Sequence, residues 1–206
     1  MRPDLKGSDA HGPQGGGTGV STPGVAPPEA EPPEVRSPEV WSIVVAAGSG
    51  RRFGGAKQFA ELMGRPLLAW AVDSVAQLSN GVVVVVPAER LADLPPLPDV
   101  DRVVAGGATR SESVRAGLAA LPASAEVILV HDGARPLADV RLVRRVIDAV
   151  SRPDGAAGAL PGVAVTDTLR SIDGAPVDRA GLVAVQTPQG FQANLLRSVH
   201  ASSPEA

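Results

Sequence analysis

The sequence predicts an α/β fold with three layers, in which helices cover both faces of a mostly parallel sheet. From Val40 onward, short runs of β-branched residues alternate with stretches of helical periodicity, a pattern typical of βαβ units. Most of the short runs are apolar throughout, as expected for strands that are buried on both faces of a sheet. The 206 residues suffice for one such domain and an additional segment.

The predicted elements follow one another along the chain. Strands are predicted over residues 43–47, 82–86, 102–105, 127–130 and 182–186, with a weaker one over 163–165. Helices are predicted over residues 67–78, 111–121 and 139–150, where apolar residues recur at helical spacing. Ligands of such sheets bind beyond the carboxyl ends of the strands. Candidate functional residues are therefore expected directly after the apolar runs.

The composition divides the chain into a tail over residues 1–39 and a folded domain over residues 40–206. The tail is rich in Pro and Gly, lacks hydrophobic periodicity and is expected to be disordered. The domain holds 16 basic and 16 acidic residues, out of 19 and 22 in the chain, which argues against a nucleic-acid surface. The chain has no Cys, no signal pattern and no purely aliphatic run longer than 82–86. We therefore expect a soluble cytoplasmic protein without membrane contact.

The first polar cluster, residues 46–59, reads AAGSGRRFGGAKQF and follows the first predicted strand. Its small residues let the backbone approach a phosphate closely, and successive amide groups can form an anion-binding nest. Arg52 and Lys57 add two cations that can reach a triphosphate. The alternative is a glycine-rich surface turn with solvated cations, because the cluster matches neither the dinucleotide fingerprint nor the GxxxxGK[ST] phosphate loop.

The second cluster, GGATRSESV over residues 106–114, follows a short strand and opens a predicted helix. Gly107 and Ser113 can present hydrogen-bonding groups to a ligand at the helix N-terminus. Helix capping is an equally suitable interpretation, because Thr109 and Glu112 have the spacing of a capping box.

The third cluster, VHDGARP over residues 130–136, places a carboxylate at the end of a strongly apolar strand. Asp132 is a hard oxygen ligand suited to Mg²⁺ that is bridged to phosphates, and Arg135 adds an anion-binding partner. The alternative for Asp132 is a turn cap. For His131, a partly buried histidine with satisfied hydrogen bonds is the favoured interpretation. The other histidines, His11 in the tail and His200 near the end of the chain, are not plausible partners for a metal site.

The motifs AAGSGRRFGGAKQF, GGATRSESVRAGL, LVHDGARP, VTDT, VDRAGL and QTPQGF occur in this order. Over residues 41 to about 200, the chain closely resembles the 2-C-methyl-D-erythritol 4-phosphate cytidylyltransferases of the non-mevalonate isoprenoid pathway. The resemblance implies a Rossmann-like nucleotidyltransferase sheet with a dimerisation arm. It also implies transfer of CMP from CTP to methylerythritol phosphate with release of pyrophosphate, Mg²⁺ as the cofactor, and a homodimer.

The resemblance further implies roles for individual residues. Arg52, Lys57 and Arg179 would act in catalysis. Cytosine would be bound by backbone groups of Ala46, Ala47 and Gly107 and by the Ser113 hydroxyl, and Asp132 would hold Mg²⁺ and lie near the ribose. The whole nucleotide site would comprise Ala46, Ala47, Gly48, Gly50, Gly107, Ala108, Ser113, Asp132 and Gly133. The acceptor, methylerythritol phosphate, would be faced by Arg135 and Thr187, and by Thr168 and Arg179 of an arm that crosses into the partner subunit's site.

Three departures from the family pattern are present. Val45 stands where the family commonly has Pro. Ala108 stands where it commonly has Asp, which removes a side-chain contact to cytosine. The chain ends at Ala206, before the TD-acidic segment and the N-x-K-x-T pattern with which family members continue. We therefore expect a truncated gene product or a fragment that lacks one sheet edge and part of its acceptor site.

The expected reaction is in-line attack of a substrate phosphate oxygen on the α-phosphorus of CTP, for which positioning and electrostatics dominate. Two alternatives stay open at this point. One is a cytidylyltransferase that acts on ribitol 5-phosphate, although the HDGARP motif modestly favours the methylerythritol phosphate enzymes. The other is a non-catalytic remnant that binds CTP or only dimerises. The missing C-terminus favours this alternative, whereas the presence of Arg52, Lys57 and Asp132 argues against it.

Overall fold

The computed structural model describes residues 36–50, 54–152 and 154–202. Its strands, in chain order, are β1 (Val40–Val45), β2 (Glu61–Leu62), β3 (Arg65–Pro66), β4 (Gly81–Val86), β5 (Arg102–Ala105), β6 (Val127–Asp132), β7 (Gly158–Ala159), β8 (Gly162–Ala164), β9 (Leu169–Arg170), β10 (Pro176–Val177), β11 (Val183–Val185) and β12 (Gln189–Gln192). Its α-helices are α1 (Leu67–Ala76), α2 (Arg110–Ala120), α3 (Val140–Ser151) and α4 (Ala193–Ser202), and short 3₁₀-helices span Lys57–Phe59 and Ala88–Arg90.

The central sheet has the strand order β5-β4-β1-β6-β12-β7. The strands β5, β4, β1 and β6 are parallel, whereas β12 runs antiparallel to both of its neighbours. The chain moves from β1 to β4 and β5 on one side of β1 and then to β6 on its other side. Because the strand order reverses there, the carboxyl ends of β1 and β6 border the crevice in which open α/β sheets bind ligands.

Helices cover both faces of the sheet, which confirms the predicted three layers. On one face, α1 and α3 pack Leu68 and Val143 against strand residues that include Val44. On the other face, α2 and α4 pack Leu118 and Leu196 against residues that include Ile43. Neighbouring residues of β1 thus pack on opposite faces, which explains why the strand is apolar without alternation over residues 43–45.

The predicted capping box fixes the start of α2. The Thr109 hydroxyl accepts a hydrogen bond from the Glu112 backbone amide at 3.1 Å, and the Glu112 carboxylate accepts one from the Thr109 amide at 2.8 Å. Two backbone donors of the first helical turn are satisfied in this way. Among the helices that the structure describes, none combines the length and apolarity of a membrane span.

Two parts of the fold differ from the prediction. The strand predicted over residues 182–186 is β11, which pairs antiparallel with β8 in a separate two-stranded sheet and not in the central one. All residues of β8 and β11 are exposed, so an apolar run here does not indicate burial. The place beside β6 is taken by β12, whose sequence QGFQ lacks an apolar pattern. The predicted tail lies outside the described residues as far as residue 35.

Candidate functional site

An open cleft of about 1030 Å³ lies at the carboxyl ends of β1, β5 and β6. It brings together all three polar clusters of the sequence. Its lining consists of Val45, Ala46, Ala47, Gly48, Ser49, Gly50, Lys57, Gln58, Gly107, Ala108, Thr109, Arg110, Ser113, Asp132, Gly133, Ala134 and Arg135. Of the predicted site residues, Arg52 lies outside the described residues, and Thr168, Arg179 and Thr187 are not part of this lining.

The loop after β1 folds back on itself at Gly50. This glycine has a φ of +61°, and its carbonyl accepts a hydrogen bond from the Gly55 amide at 3.3 Å. A Cβ at Gly50 would lie 1.7 Å from the Gly55 carbonyl oxygen, so only glycine fits. The turn brings the chain back to Lys57, whose exposed side chain lines the cleft.

Gln58 is a site residue that the sequence analysis did not single out. Its side chain is 4% exposed, and its amide nitrogen donates to the carbonyls of Ala46 at 2.5 Å and Gly48 at 2.9 Å. These carbonyls flank Ala47, so the Gln58 amide fixes the backbone on both sides of it. The only signal in the sequence is a long amide directly after Lys57, which by itself indicates nothing.

The loop before α2 packs directly against the loop after β1. A Cβ at Gly106 would lie 2.4 Å from the Ala47 Cβ and 2.7 Å from the Ser113 hydroxyl oxygen, so glycine permits this close approach. Ser113 is buried, donates its hydroxyl proton to the Thr109 carbonyl at 2.9 Å and accepts from the Gly107 amide at 3.3 Å. One lone pair of this hydroxyl thus remains to accept a donor from a ligand.

Asp132 lies between two arginines at the end of β6. Its Oδ1 is 3.2 Å from Nη2 of Arg110, and its Oδ2 is 3.0 Å from Nε of Arg135. The Arg135 guanidinium also donates to the side-chain carbonyl of Gln186.

Arg110 was not singled out from the sequence, although it is the first residue of α2 and directly follows the cap residue Thr109. With Lys57, three cations and one carboxylate line the described cleft, which suits a polyanionic ligand.

Behind this cleft, His131 is fully buried, more than the partly buried histidine expected from the sequence, and the hydrogen bonds of both ring nitrogens confirm the expected satisfied state. Its Nε2 lies 2.9 Å from the Arg135 carbonyl, and its Nδ1 lies 3.0 Å from the Thr187 hydroxyl. Burial lowers the pKa of the imidazole, and the hydrogen bond with the Arg135 carbonyl offsets this only in part. Thr187 is itself buried, and its hydroxyl accepts from the Asp132 amide at 3.3 Å.

Thr168 and Arg179 lie in the exposed segment between β8 and β11. The Arg179 guanidinium donates to the backbone carbonyl of Thr166 within the same segment.

The donor set at Asp132 fits a magnesium ion that is shared with a ligand. Over the described residues, no group of three or more His, Asp or Glu is arranged to enclose a metal. Magnesium is commonly held by one or two carboxylates together with substrate phosphates, for which one carboxylate at the cleft suffices.

A second cavity, of about 750 Å³, lies at the amino ends of β4 and β5. Its charged lining residues are Asp73, Asp99, Asp101 and Arg65, and Arg65 is paired with Asp73 at 2.9 Å. This acidic surface is unsuited to phosphates and lies at the edge of the sheet opposite the binding crevice.

Comparison with known proteins gives one consistent family. A family model for IspD, 2-C-methyl-D-erythritol 4-phosphate cytidylyltransferase, matches residues 40–206. The 2-C-methyl-D-erythritol 4-phosphate cytidylyltransferase of Nocardia farcinica is 44% identical over 178 residues, which cover 80% of this chain and 76% of that protein. The bifunctional enzyme IspD/IspF of Nitratidesulfovibrio vulgaris is 42% identical over 187 residues, which cover 81% of this chain and 47% of that protein.

Solved structures agree with these relatives. The crystal structure of 2-C-methyl-D-erythritol 4-phosphate cytidylyltransferase from Thermus thermophilus matches with a TM-score of 0.65 and 36% identity, over 79% of this chain and 75% of that one. The chain spans about half the length of the bifunctional curated relatives that it matches.

Proposed function

Since the chain belongs to the 2-C-methyl-D-erythritol 4-phosphate cytidylyltransferase family, we propose that it transfers CMP from CTP to 2-C-methyl-D-erythritol 4-phosphate and releases pyrophosphate. The observation that carries this proposal is the composition of the cleft. A glycine-rich backbone loop, Lys57, and Asp132 between Arg110 and Arg135 all line one cavity at the carboxyl edge of the sheet.

The reaction needs little covalent chemistry from the protein. The attacking phosphate oxygen is already an anion, so no general base is required. The protein must bring two polyanions together and stabilise the charge that builds on the α-phosphoryl oxygens and on the leaving pyrophosphate. In this proposal the loop over residues 46–50 binds the CTP phosphates, and Lys57 and Arg52 stabilise the transition state.

The same proposal assigns the base and the metal. Backbone groups at Ala47 and Gly107, together with the remaining lone pair of the Ser113 hydroxyl, would bind cytosine. Asp132 would hold Mg²⁺ together with the phosphates of CTP. The bound ion would neutralise phosphate charge, and Asp132 would also fix the position of the ribose.

The acceptor would be bound beside Arg135, with Thr187 behind it. We further propose that the active form is a homodimer in which Thr168 and Arg179 of one subunit reach the cleft of the other. The exposure of the arm, which comprises β8, β11 and the segment between them, supports this dimer. Its residues Val163, Val183 and Val185 are 57%, 62% and 47% exposed. Two-stranded sheets are marginal in water without packing on one face, so β8 and β11 need a partner surface.

A pyrophosphate-release assay tests the proposed function. With CTP and Mg²⁺, we expect release that depends on methylerythritol phosphate and yields cytidylylated product. Ribitol 5-phosphate and UTP serve as controls and should support much slower release. Equal or faster release with ribitol 5-phosphate would contradict the assigned acceptor. Calorimetry with CTP on the same sample tests the nucleotide site separately, and a folded protein that does not bind CTP would contradict it.

The cellular compartment is part of the same proposal. We propose a cytoplasmic enzyme, because a chain without Cys gains nothing from an oxidising compartment.

A further inference from the structure

His131 makes contacts that tie the cleft to the protein interior. The imidazole is 0% exposed at the end of β6. Its Nε2 lies 2.9 Å from the Arg135 carbonyl oxygen and 3.4 Å from the Ser74 hydroxyl, and its Nδ1 lies 3.0 Å from the Thr187 hydroxyl. One ring thus joins α1, the turn after β6 and the segment that precedes β12.

The hydrogen-bond partners determine where the imidazole proton lies. A carbonyl oxygen can only accept, so Nε2 must carry the proton that is donated to Arg135. The Ser74 hydroxyl donates to the Ala71 carbonyl at 2.7 Å, so it too faces Nε2 as an acceptor. In the neutral ring, Nδ1 is then an acceptor, and the Thr187 hydroxyl must donate to it.

This chain of donors continues to Asp132. The Thr187 oxygen, having given its proton to His131, accepts from the Asp132 backbone amide at 3.3 Å. The sequence of donors is therefore Asp132 amide to Thr187 hydroxyl to His131, and His131 to the Arg135 carbonyl. A single tautomer satisfies every partner, so His131 holds the Arg135 end of the turn directly and the Asp132 end through Thr187.

We propose that His131 is a positioning residue for the acceptor half of the active site, acting through Thr187 and the Arg135 backbone. This inference rests on the proposed function for its kinetic consequence. His131 does not line the cleft. It acts by fixing the position of the Arg135 backbone, and with it the guanidinium, relative to the segment that carries Thr187. The loop after β1 and the α2 N-terminus, which would bind the phosphates and the base of CTP, lie outside these contacts, and Asp132 enters them only through its backbone amide.

Kinetics of three variants test the inference. His131→Phe keeps a planar ring and removes the hydrogen bonds of both ring nitrogens. We expect it to raise the KM for methylerythritol phosphate about tenfold while the Kd for CTP changes less than about twofold. His131→Gln keeps a donor near Nε2 and His131→Asn keeps a polar group near Nδ1, so each should recover part of the loss. His200→Gln on α4 is the matched control and should leave both constants unchanged.

A purely structural role gives a different result. Loss of packing alone would lower the melting temperature and weaken CTP and acceptor together, with no recovery in the Gln or Asn variant. That outcome, or an unchanged acceptor KM in folded His131→Phe, overturns the inference. An inactive wild-type protein that binds CTP would contradict the proposed function. The hydrogen-bond arrangement of His131 would then be tested by the NMR measurement below.

Nitrogen-15 NMR of the imidazole tests the arrangement without turnover. We expect an Nε2–H tautomer for His131, and a shift of its Nδ1 resonance in Thr187→Val. We also expect faster exchange of the Asp132 amide in His131→Phe than in His200→Gln. An Nδ1–H tautomer, or an Asp132 amide whose exchange is equal in the two variants, overturns the inference whether or not the protein is active.

Discussion

The Arg110 guanidinium lies 3.2 Å from Oδ1 of Asp132, so the first turn of α2 is tied to the end of β6 through the same carboxylate that Arg135 contacts at 3.0 Å. Both oxygens of Asp132 have a cationic partner. The magnesium ion proposed at Asp132 would therefore compete with an arginine, and an arginine displaced from the carboxylate would become available to a phosphate.

This competition predicts opposite effects of two substitutions. Asp132→Asn keeps the shape but removes the charge, so the Mg²⁺ concentration for half-maximal rate at saturating CTP should rise sharply. Arg110→Gln removes a competitor, so this concentration should fall while the KM for CTP rises. Titration of Mg²⁺ against rate measures both effects, and Asp148→Asn on the exposed face of α3 is the control. Identical Mg²⁺ curves for Asp132→Asn and the wild type would mean that Asp132 only shapes its turn.

Lys57 gives the second prediction. If its ammonium group acts on the transition state, Lys57→Met should lower kcat by roughly 10²–10³, the scale for loss of one preorganised donor. The affinity for CTP should change much less, because other groups of the cleft bind the ground state. Steady-state kinetics and calorimetry separate the two effects. Arg144→Met, on the exposed side of α3, controls for the loss of a cation. An unchanged kcat would remove Lys57 from the mechanism.

Gln58 gives the third prediction. Gln58→Met keeps the length of the side chain but leaves the Ala46 and Gly48 carbonyls without their donor. We expect the free energy of unfolding to fall by about 1–3 kcal/mol. The KM for CTP should rise as well, because the backbone around Ala47 is no longer fixed. Denaturant unfolding and CTP calorimetry measure the two effects. Gln77→Met, at an exposed position after α1, should change neither.

The positions of the three clusters could be predicted from the sequence because one rule fixes them. Each follows an apolar run, and the carboxyl ends of parallel strands meet at one edge of the sheet. Gln58 and Arg110 could not be predicted in this way. The role of Gln58 depends on two backbone carbonyls at positions 46 and 48, and that of Arg110 on a carboxylate 22 residues away. Such contacts exist only after the loops have been brought together.

The elements of the fold likewise divide into those that local sequence patterns predict and those that depend on long-range contacts. The strands of the sheet interior and the capping box of α2 follow from local patterns, namely β-branched runs and the Thr109–Glu112 spacing. The strand β12 and the exposed arm do not. The sequence QGFQ pairs with β6 and β7 inside the central sheet, whereas the more apolar β11 lies outside it. Here tertiary pairing, and not hydrophobicity, decides which segment is buried.

The buried imidazole of His131 predicts the pH dependence of stability. Burial lowers its pKa below the ordinary value of about 6.5, so the folded protein binds this proton less readily than the unfolded chain. The resulting stability is fully present above about pH 6.5 and is lost as the pH falls from there toward the folded pKa. Denaturant unfolding between about pH 8 and pH 5 should show this decline. His131→Gln should flatten it, and His200→Gln, at a less buried site, should flatten it less. Equal slopes in the wild type and His131→Gln would contradict the prediction.

The proposed contribution of Arg179 to the partner subunit's site predicts complementation between two inactive proteins. If each site combines Lys57 of one subunit with Arg179 of the other, a heterodimer of Lys57→Met and Arg179→Ala chains contains one complete site and one doubly damaged site. Co-expression should then restore roughly a quarter of the wild-type activity, because about half of randomly formed dimers are heterodimers. If Arg179 acts in its own subunit, both sites carry one substitution and no activity returns. Co-expression of Lys57→Met with Asp132→Asn is the control, because both residues line the same cleft and their heterodimer has no complete site. Activity in the first mixture and not in the second would support the shared site, whereas equal and low activity in both would contradict it.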